Sequence, residues 1–171
     1  MANRTRTYIA ADWDGDKNAI DQMHTWNDSN KWSLSFTDAH DLTQARDSSL
    51  NCSIKESLAA RMDASKTFVL IVGNGTRSRK AGECTYCEHY DNGKCKKGHT
   101  ISNDSFLEYE CKKAVRDRND IKLVVLYNAA TVDKRKCPDA IKNYGTHAAM
   151  QKMKDGKYYW DYESVKTAMG Q

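Results

Sequence analysis

Phe68-Val69-Leu70-Ile71-Val72-Gly73-Asn74-Gly75-Thr76 is the stretch that decides the fold of this chain. A continuous apolar run of this length reads as a strand buried on both faces, the kind found inside parallel sheets. A Cys/His-rich insert follows, and Ser105-Phe106-Leu107-Glu108-Tyr109-Glu110 then opens a helix. Buried strand, loop and acid-bearing helix is how open α/β sheets build ligand crevices. Glu110 is therefore the first candidate for chemistry.

Working outward, Tyr8-Ile9-Ala10-Ala11 is a short apolar strand ending in the polar turn Asp12-Trp13-Asp14-Gly15-Asp16. Lys17 to Trp26 places Ile20, Met23 and Trp26 near one helical face. Trp32-Ser33-Leu34-Ser35-Phe36 alternates with period two and predicts an edge or half-buried strand. Thr37 to Ser49 is polar and irregular, a loop. Ser53-Ile54-Lys55-Glu56 matches a capping box, opening a helix to Met62 with Ile54, Leu58, Ala59 and Met62 on its apolar stripe. Ser105-Phe106-Leu107-Glu108 matches a second, and Leu107, Cys111, Ala114 and Val115 form its stripe. Leu123 to Tyr127 predicts another buried strand. Cys137-Pro138-Asp139-Ala140 reads as a helix start, Tyr158 to Trp160 as a late strand and Tyr162 to Met169 as a last helix. Strands alternating with helices give βαβ units, a mainly parallel sheet and helices on both faces. One domain over residues 1–171 is expected, with an insert at 77–104.

The bulk numbers narrow the function. The 171 residues carry a formal net charge of +4, with 29% charged, and mean hydropathy is −0.83. So mild a charge, with only Arg77–Lys80 and Lys134-Arg135-Lys136 as short basic clusters, does not imply nucleic acid. The N-terminus lacks the apolar region of an export signal and no run approaches a membrane span, so a cytoplasmic location is expected. The six cysteines then read as reduced thiols or metal ligands rather than disulfides.

Cys84, Cys87, Cys95 and His99 give C-x2-C-x7-C-x3-H, four zinc-type ligands within sixteen residues. A closed set of this kind implies structural rather than catalytic zinc. His89 or Cys111 is an alternative fourth ligand, and a mobile, reduced loop is the plainer reading. Asp12, Asp14 and Asp16 fail as a calcium loop, because its sixth and twelfth positions hold Lys17 and Met23 instead of Gly and Glu. A response-regulator receiver is excluded by Gly73-Asn74 where its phospho-accepting Asp would stand. There is no G-x-G-x-x-G after the first strand and no phosphate-binding G-x4-G-K-[ST]. Asp12 and Asp14 either line the crevice mouth or form a solvated turn. At 100° per residue, Glu110 falls on the border of its helix's buried stripe. It is either an acid in a partly shielded cleft or a boundary residue paired with Lys113 or Lys66.

The order and spacing of these segments resemble a TIR domain, and more narrowly the bacterial TIR-like proteins that include the TIR component of Thoeris antiphage defence. The residues that carry this are Tyr8-Ile9-Ala10-Ala11-Asp12 with Asp14-Gly15-Asp16, Ser53-Ile54-Lys55-Glu56, Phe68–Gly73 and Phe106-Leu107-Glu108-Tyr109-Glu110-Cys111. The last is set against the family's Trp-x-x-x-Glu-hydrophobic, with Phe106 in place of tryptophan. The resemblance implies a flavodoxin-like fold whose five-stranded sheet runs 2-1-3-4-5. It also implies an NAD+ glycohydrolase or cyclase with Glu110 catalytic, making an ADP-ribose-type second messenger for a downstream effector. Asp12, Trp13, Asp14, Asp38, Asn74 and Phe106 would line the NAD+ pocket, under a loop formed by Thr37 to Ser49, and TIR surfaces would self-associate. A non-catalytic TIR-like adaptor is the alternative.

Overall fold

The computed structural model describes residues 6–32, 34–38 and 50–171. In chain order the main elements begin with β1 (Arg6–Ala10), α1 (Lys17–Asp28), α2 (Asn51–Asp63) and β2 (Ser65–Val72). The insert contributes the short strands β3 (Tyr90–Asp91) and β4 (Lys94–Cys95), followed by α3 (Phe106–Arg116) and β5 (Lys122–Tyr127). The C-terminal part holds β6 (Thr146–Ala149), the hairpin strands β7 (Gln151–Lys154) and β8 (Lys157–Trp160), and α4 (Tyr162–Met169).

The central sheet has four strands in the order β1-β2-β5-β6, and every neighbouring pair is parallel. In register, Tyr8 lies beside Phe68, Val72 beside Tyr127, and Tyr127 beside Ala149. Successive strand residues point to opposite faces, so the apolar runs divide between two layers. Tyr8, Phe68, Leu70, Val72, Leu123 and Val125 pack against Leu58 and Met62 of α2 and Leu107, Cys111 and Ala114 of α3. Ile9, Val69, Ile71, Val124 and Leu126 pack against Ile20, Met23 and Trp26 of α1 and Val165 and Ala168 of α4. The result is a three-layer α/β architecture of the flavodoxin-like kind, with α1 and α4 on one face and α2 and α3 on the other.

Several sequence expectations are corrected. Of the expected strand Trp32–Phe36, Ser33 lies outside the described residues, and Leu34, Ser35 and Phe36 form no strand, because side chains take the backbone groups of Ser35 and Phe36. Ser35 N donates to Gln171 Oε1 at 2.7 Å and Ser35 O accepts from Gln171 Nε2 at 2.8 Å, while Phe36 N donates to Asn27 Oδ1 at 2.6 Å. Among the described residues, the outer edge of β1 is met by the parallel bridge between Thr7 and Asp38, with Thr7 N donating to Thr37 O at 2.9 Å. Among the described residues, the expected 2-1-3-4-5 sheet therefore has four strands, with that bridge where the outer member was expected. Ser53 caps nothing: α2 already starts at Asn51, with Leu50 flanking it and no side-chain cap. Ser105 does cap α3, accepting from Glu108 N at 3.1 Å. Pro138 begins only a turn, closed by Ile141 N and Lys142 N donating to Pro138 O, each at 3.1 Å. Tyr158–Trp160 is a strand, but it pairs with β7 in a hairpin outside the main sheet. The fourth main strand is instead Thr146–Ala149, where two alanines follow Thr146 and His147 and leave the β signal weak. Of the expected Thr37–Ser49 loop, residues 39–49 lie outside the described residues. Among the described residues no helix is long and apolar enough to cross a membrane.

Candidate functional site

The carboxyl ends of β1, β2 and β5 meet between helices of opposite faces, since α1 leaves β1 to one side and α3 returns on the other. Ligand crevices in open α/β sheets form at such a point. Buried acids occupy it. Asp16 is 2% exposed. It accepts from Asn128 Nδ2 at 2.9 Å and from Thr76 Oγ1 at 3.4 Å, and that hydroxyl in turn accepts from Gly73 N at 2.8 Å. Burial raises the Asp16 pKa, partly opposed by the Asn128 hydrogen bond. Glycine is required beside it: a Cβ at Gly73 would stand 1.9 Å from Asp16 Oδ1.

Asp12 is also buried, and its Oδ1 lies 3.2 Å from Arg79 Nη2. The same guanidinium pairs with the exposed Asp14 at 2.6 Å. Gly15 and Gly75 close around Asp12, since a Cβ at either would lie 2.7 or 2.8 Å from Oδ2. Trp13 is 37% exposed on the same turn. Asn74 Oδ1 accepts from Lys136 Nζ at 2.7 Å, in the 3-10 turn Lys134–Lys136 that follows β5. A cleft of about 170 Å³ beside this rim is lined by Thr76, Arg77, Arg79, Lys80, Ser105 and Glu108, among others. Arg77 and Lys80, members of one of the two short basic clusters in the sequence, thus line a concave surface at the start of α3.

Glu110 lies deeper, on the face of α3 turned to the sheet, and is 4% exposed. Its carboxyl accepts a hydrogen bond from the Tyr8 hydroxyl of β1. Burial pushes its pKa from 4.5 up to about 7, against the lowering effects of the Tyr8 hydrogen bond and the Arg61 charge. Burial and the Glu110 charge together raise the Tyr8 pKa well above its ordinary value, with Arg61 opposing and Asp38 adding. Asp38, 7% exposed, sits across from His24 Nε2 at 3.3 Å. Lys113, a partner weighed for Glu110, instead holds Asp63 at 2.6 Å and Asp117 at 2.7 Å. Phe106 is half-buried against the α2–α3 layer and stacks on Gly82 (φ +98°), whose Cβ would meet its ring at 2.5 Å.

The pocket residues expected from sequence thus fall into separate contacts. Asp12 and Asp14 share Arg79, Asp38 and Glu110 both act on Tyr8, and Asn74 faces Lys136. Tyr8, Arg61, Asp16, Thr76, Asn128 and Arg79 were missed. Only the two glycines flanking Asn74 hinted at a close approach in that loop. Cys84, Cys87, Cys95 and His99 line one small cavity together with Cys52, His89, Tyr90, Thr100 and Ile101. Cys111 is elsewhere, fully buried in the α2–α3 layer. Among the described residues no three His, Cys, Asp or Glu side chains already stand at metal-holding separation.

Glu110 lines neither of the two cavities described, but a buried carboxyl with a pKa near neutrality, held by a phenol, can act as an acid, a base or a stabiliser of positive charge where a substrate reaches it. Residues 8–83 of the chain match the family model for the TIR-like domain of the Thoeris protein ThsB. No curated protein matches the chain.

Proposed function

We propose, from the match of residues 8–83 to the TIR-like domain of the Thoeris protein ThsB, that this chain is a TIR-like, Thoeris-related protein that cleaves the nicotinamide–ribose bond of NAD+. The observation that carries the proposal is Glu110 itself: a buried carboxyl tuned to about pH 7 and oriented by Tyr8. Breaking the bond develops oxocarbenium character at the anomeric carbon, as in glycoside hydrolysis. Nicotinamide leaves as a neutral molecule, so no second acid is required. The Glu110 carboxylate stabilises the developing cation, holds the ribose hydroxyls or traps the ribosyl group. Tyr8 is a positioning residue, since its O–H donates to the carboxylate and fixes its rotamer. Arg77, Arg79 and Lys80 beside the N-terminus of α3 supply the cations and backbone amides that suit a diphosphate. Asp12, Trp13, Asp14, Asp38, Asn74 and Phe106 belong to this pocket or its rim. Capture of the ribosyl group by water gives ADP-ribose, and capture by an internal nucleophile gives a cyclic product. Either serves as a diffusible defence signal, and self-association through TIR surfaces belongs to the same reading.

The test is product analysis after incubating the chain at high concentration with NAD+, beside Glu110→Gln. Nicotinamide release by the chain and its loss in the variant are expected. Equal turnover by both would overturn the role of Glu110. Defined oligomers with no turnover by either would favour the adaptor reading, for which the deep burial of Glu110 is a structural argument.

A further inference from the structure

Residues 77–104 leave the sheet after β2 and return at α3, and the two ends of this excursion meet. Phe106 N donates to Ala81 O at 2.7 Å, and Cys84 N donates to Ser102 O at 3.1 Å. α2 grips the same junction. Lys55, 4% exposed, donates through Nζ to Ser102 O at 3.1 Å and Asp104 O at 2.6 Å, and Asn51 Nδ2 donates to Glu83 O at 3.1 Å. Cys52 stands on α2 between these two anchors, and its side chain lines the cavity that also receives Cys84, Cys87 and Cys95.

The insert backbone presents those thiols from turns. Cys84–Tyr86 forms a tight 3-10 turn closed by Cys87 N donating to Cys84 O at 3.0 Å. Cys84 Sγ accepts from Ser102 N at 3.3 Å, so a backbone amide already supports one sulfur. The β3–β4 hairpin pairs Tyr90 with Cys95 through a turn at Asn92 (φ 44°) and Gly93 (φ 82°), which brings Cys95 back toward the Cys84–Cys87 turn. His99 is solvent-exposed, and His89 Nε2 lies 3.3 Å from Glu88 Oε1. The cavity therefore offers four buried or half-buried thiols, with the half-buried His89 beside Glu88 and the exposed His99 as the other nearby donors.

We propose that Cys52, Cys84, Cys87 and Cys95 bind one zinc ion as four thiolates, tying α2 to the insert and, through it, to the first turn of α3. This revises the ligand set expected from sequence, with Cys52 replacing His99. Each thiol gives its proton to solvent on binding. Side-chain rotation and closure of the hairpin bring the sulfurs to about 2.3 Å from the ion. Four thiolates and one Zn²⁺ leave a double negative charge, which the Lys55 ammonium, within electrostatic reach of Cys52 and Cys84, partly offsets. The proposal stands apart from the NAD+ reading, because every readout below measures metal alone.

The full chain, purified under reducing conditions, is analysed for metal and then reconstituted with Co²⁺. One zinc per chain and a tetrahedral cobalt spectrum with strong thiolate charge transfer are expected. Cys52→Ser should weaken zinc in chelator competition by more than about 100-fold, since even lost outer-shell partners cost 10–100-fold. Its charge-transfer band should fall in proportion to the lost thiolate, and His99→Ala should leave both unchanged. A chain that takes up neither zinc nor cobalt would overturn the proposal. So would zinc kept by Cys52→Ser and lost by His99→Ala, which would place the ligands wholly within the insert. Where Cys52→Ser fails to fold, Cys52→His decides through its cobalt spectrum: a charge-transfer band lowered by one thiolate supports the site, and an unchanged band refutes it.

Discussion

Replacing Glu110 by glutamine separates what burial of this acid does to stability from what it does to chemistry. The native carboxyl titrates at about 7 rather than 4.5. Between those pH values the folded chain keeps a proton that the unfolded chain releases. Stability therefore falls as pH rises through this window, because the unfolded state binds fewer protons. By pH 8 the accumulated loss is roughly 3 kcal/mol, at about 1.36 kcal/mol for each pH unit that separates the two values. Glutamine cannot ionise, and its carbonyl oxygen still accepts from the Tyr8 hydroxyl. Its extra amide protons cost about 1–3 kcal/mol if unsatisfied, but by the same amount at every pH. Urea unfolding of both proteins at pH 5, 6, 7 and 8 reads the difference directly. Groups such as His147 that titrate nearby are common to both chains and cancel. The variant should gain on the wild type by up to about 3 kcal/mol from pH 5 to pH 8, or about 6–12 °C in Tm. Parallel stability curves would refute the buried, proton-retaining Glu110 on which the site is built.

Tyr8→Phe removes the donor to Glu110. A hydrogen bond to a charged group is worth about 1.5–3 kcal/mol, so the acid limb of the pH–rate profile should move up by about 1–2 pH units with KM for NAD+ little changed. An unmoved limb would remove Tyr8 from any positioning role. Gly73→Ala sets a methyl group where Asp16 Oδ1 lies, and urea unfolding should show a loss of about 1–3 kcal/mol from overpacking. A neutral result would mean that the Asp16–Thr76–Asn128 junction yields easily. Ser105→Ala strips the cap of α3 and should cost about 0.5–2 kcal/mol in the same assay. No loss there would show that the helix start is held by Phe106 N and the insert instead.

The sequence by itself determined the layers. Phe68–Val72 and Leu123–Tyr127 are too apolar to lie anywhere but between two helical faces, and their alternate residues do divide between the α2–α3 and α1–α4 layers. Ile20, Met23 and Trp26, and the stripe of Leu107, Cys111 and Ala114, were equally legible, because helical period is a local property. The Ser105 cap was legible for the same reason. Tertiary structure decided what depends on partners far along the chain. Period two in Trp32–Phe36 was real, but Gln171, 136 residues away from Ser35, took the backbone groups a ladder would need. Thr146–Ala149 is a strand because β5 offers it an edge, not because its residues favour one. Glu110 stood on a border by helix geometry alone. Tyr8, 102 residues distant, and the packing of α3 on the sheet made it a buried carboxyl with a near-neutral pKa. Cys52 escaped for a related reason. Ligand spacing is counted along the chain, whereas the cavity gathers donors in space, and only the folded chain brings the start of α2 against the insert.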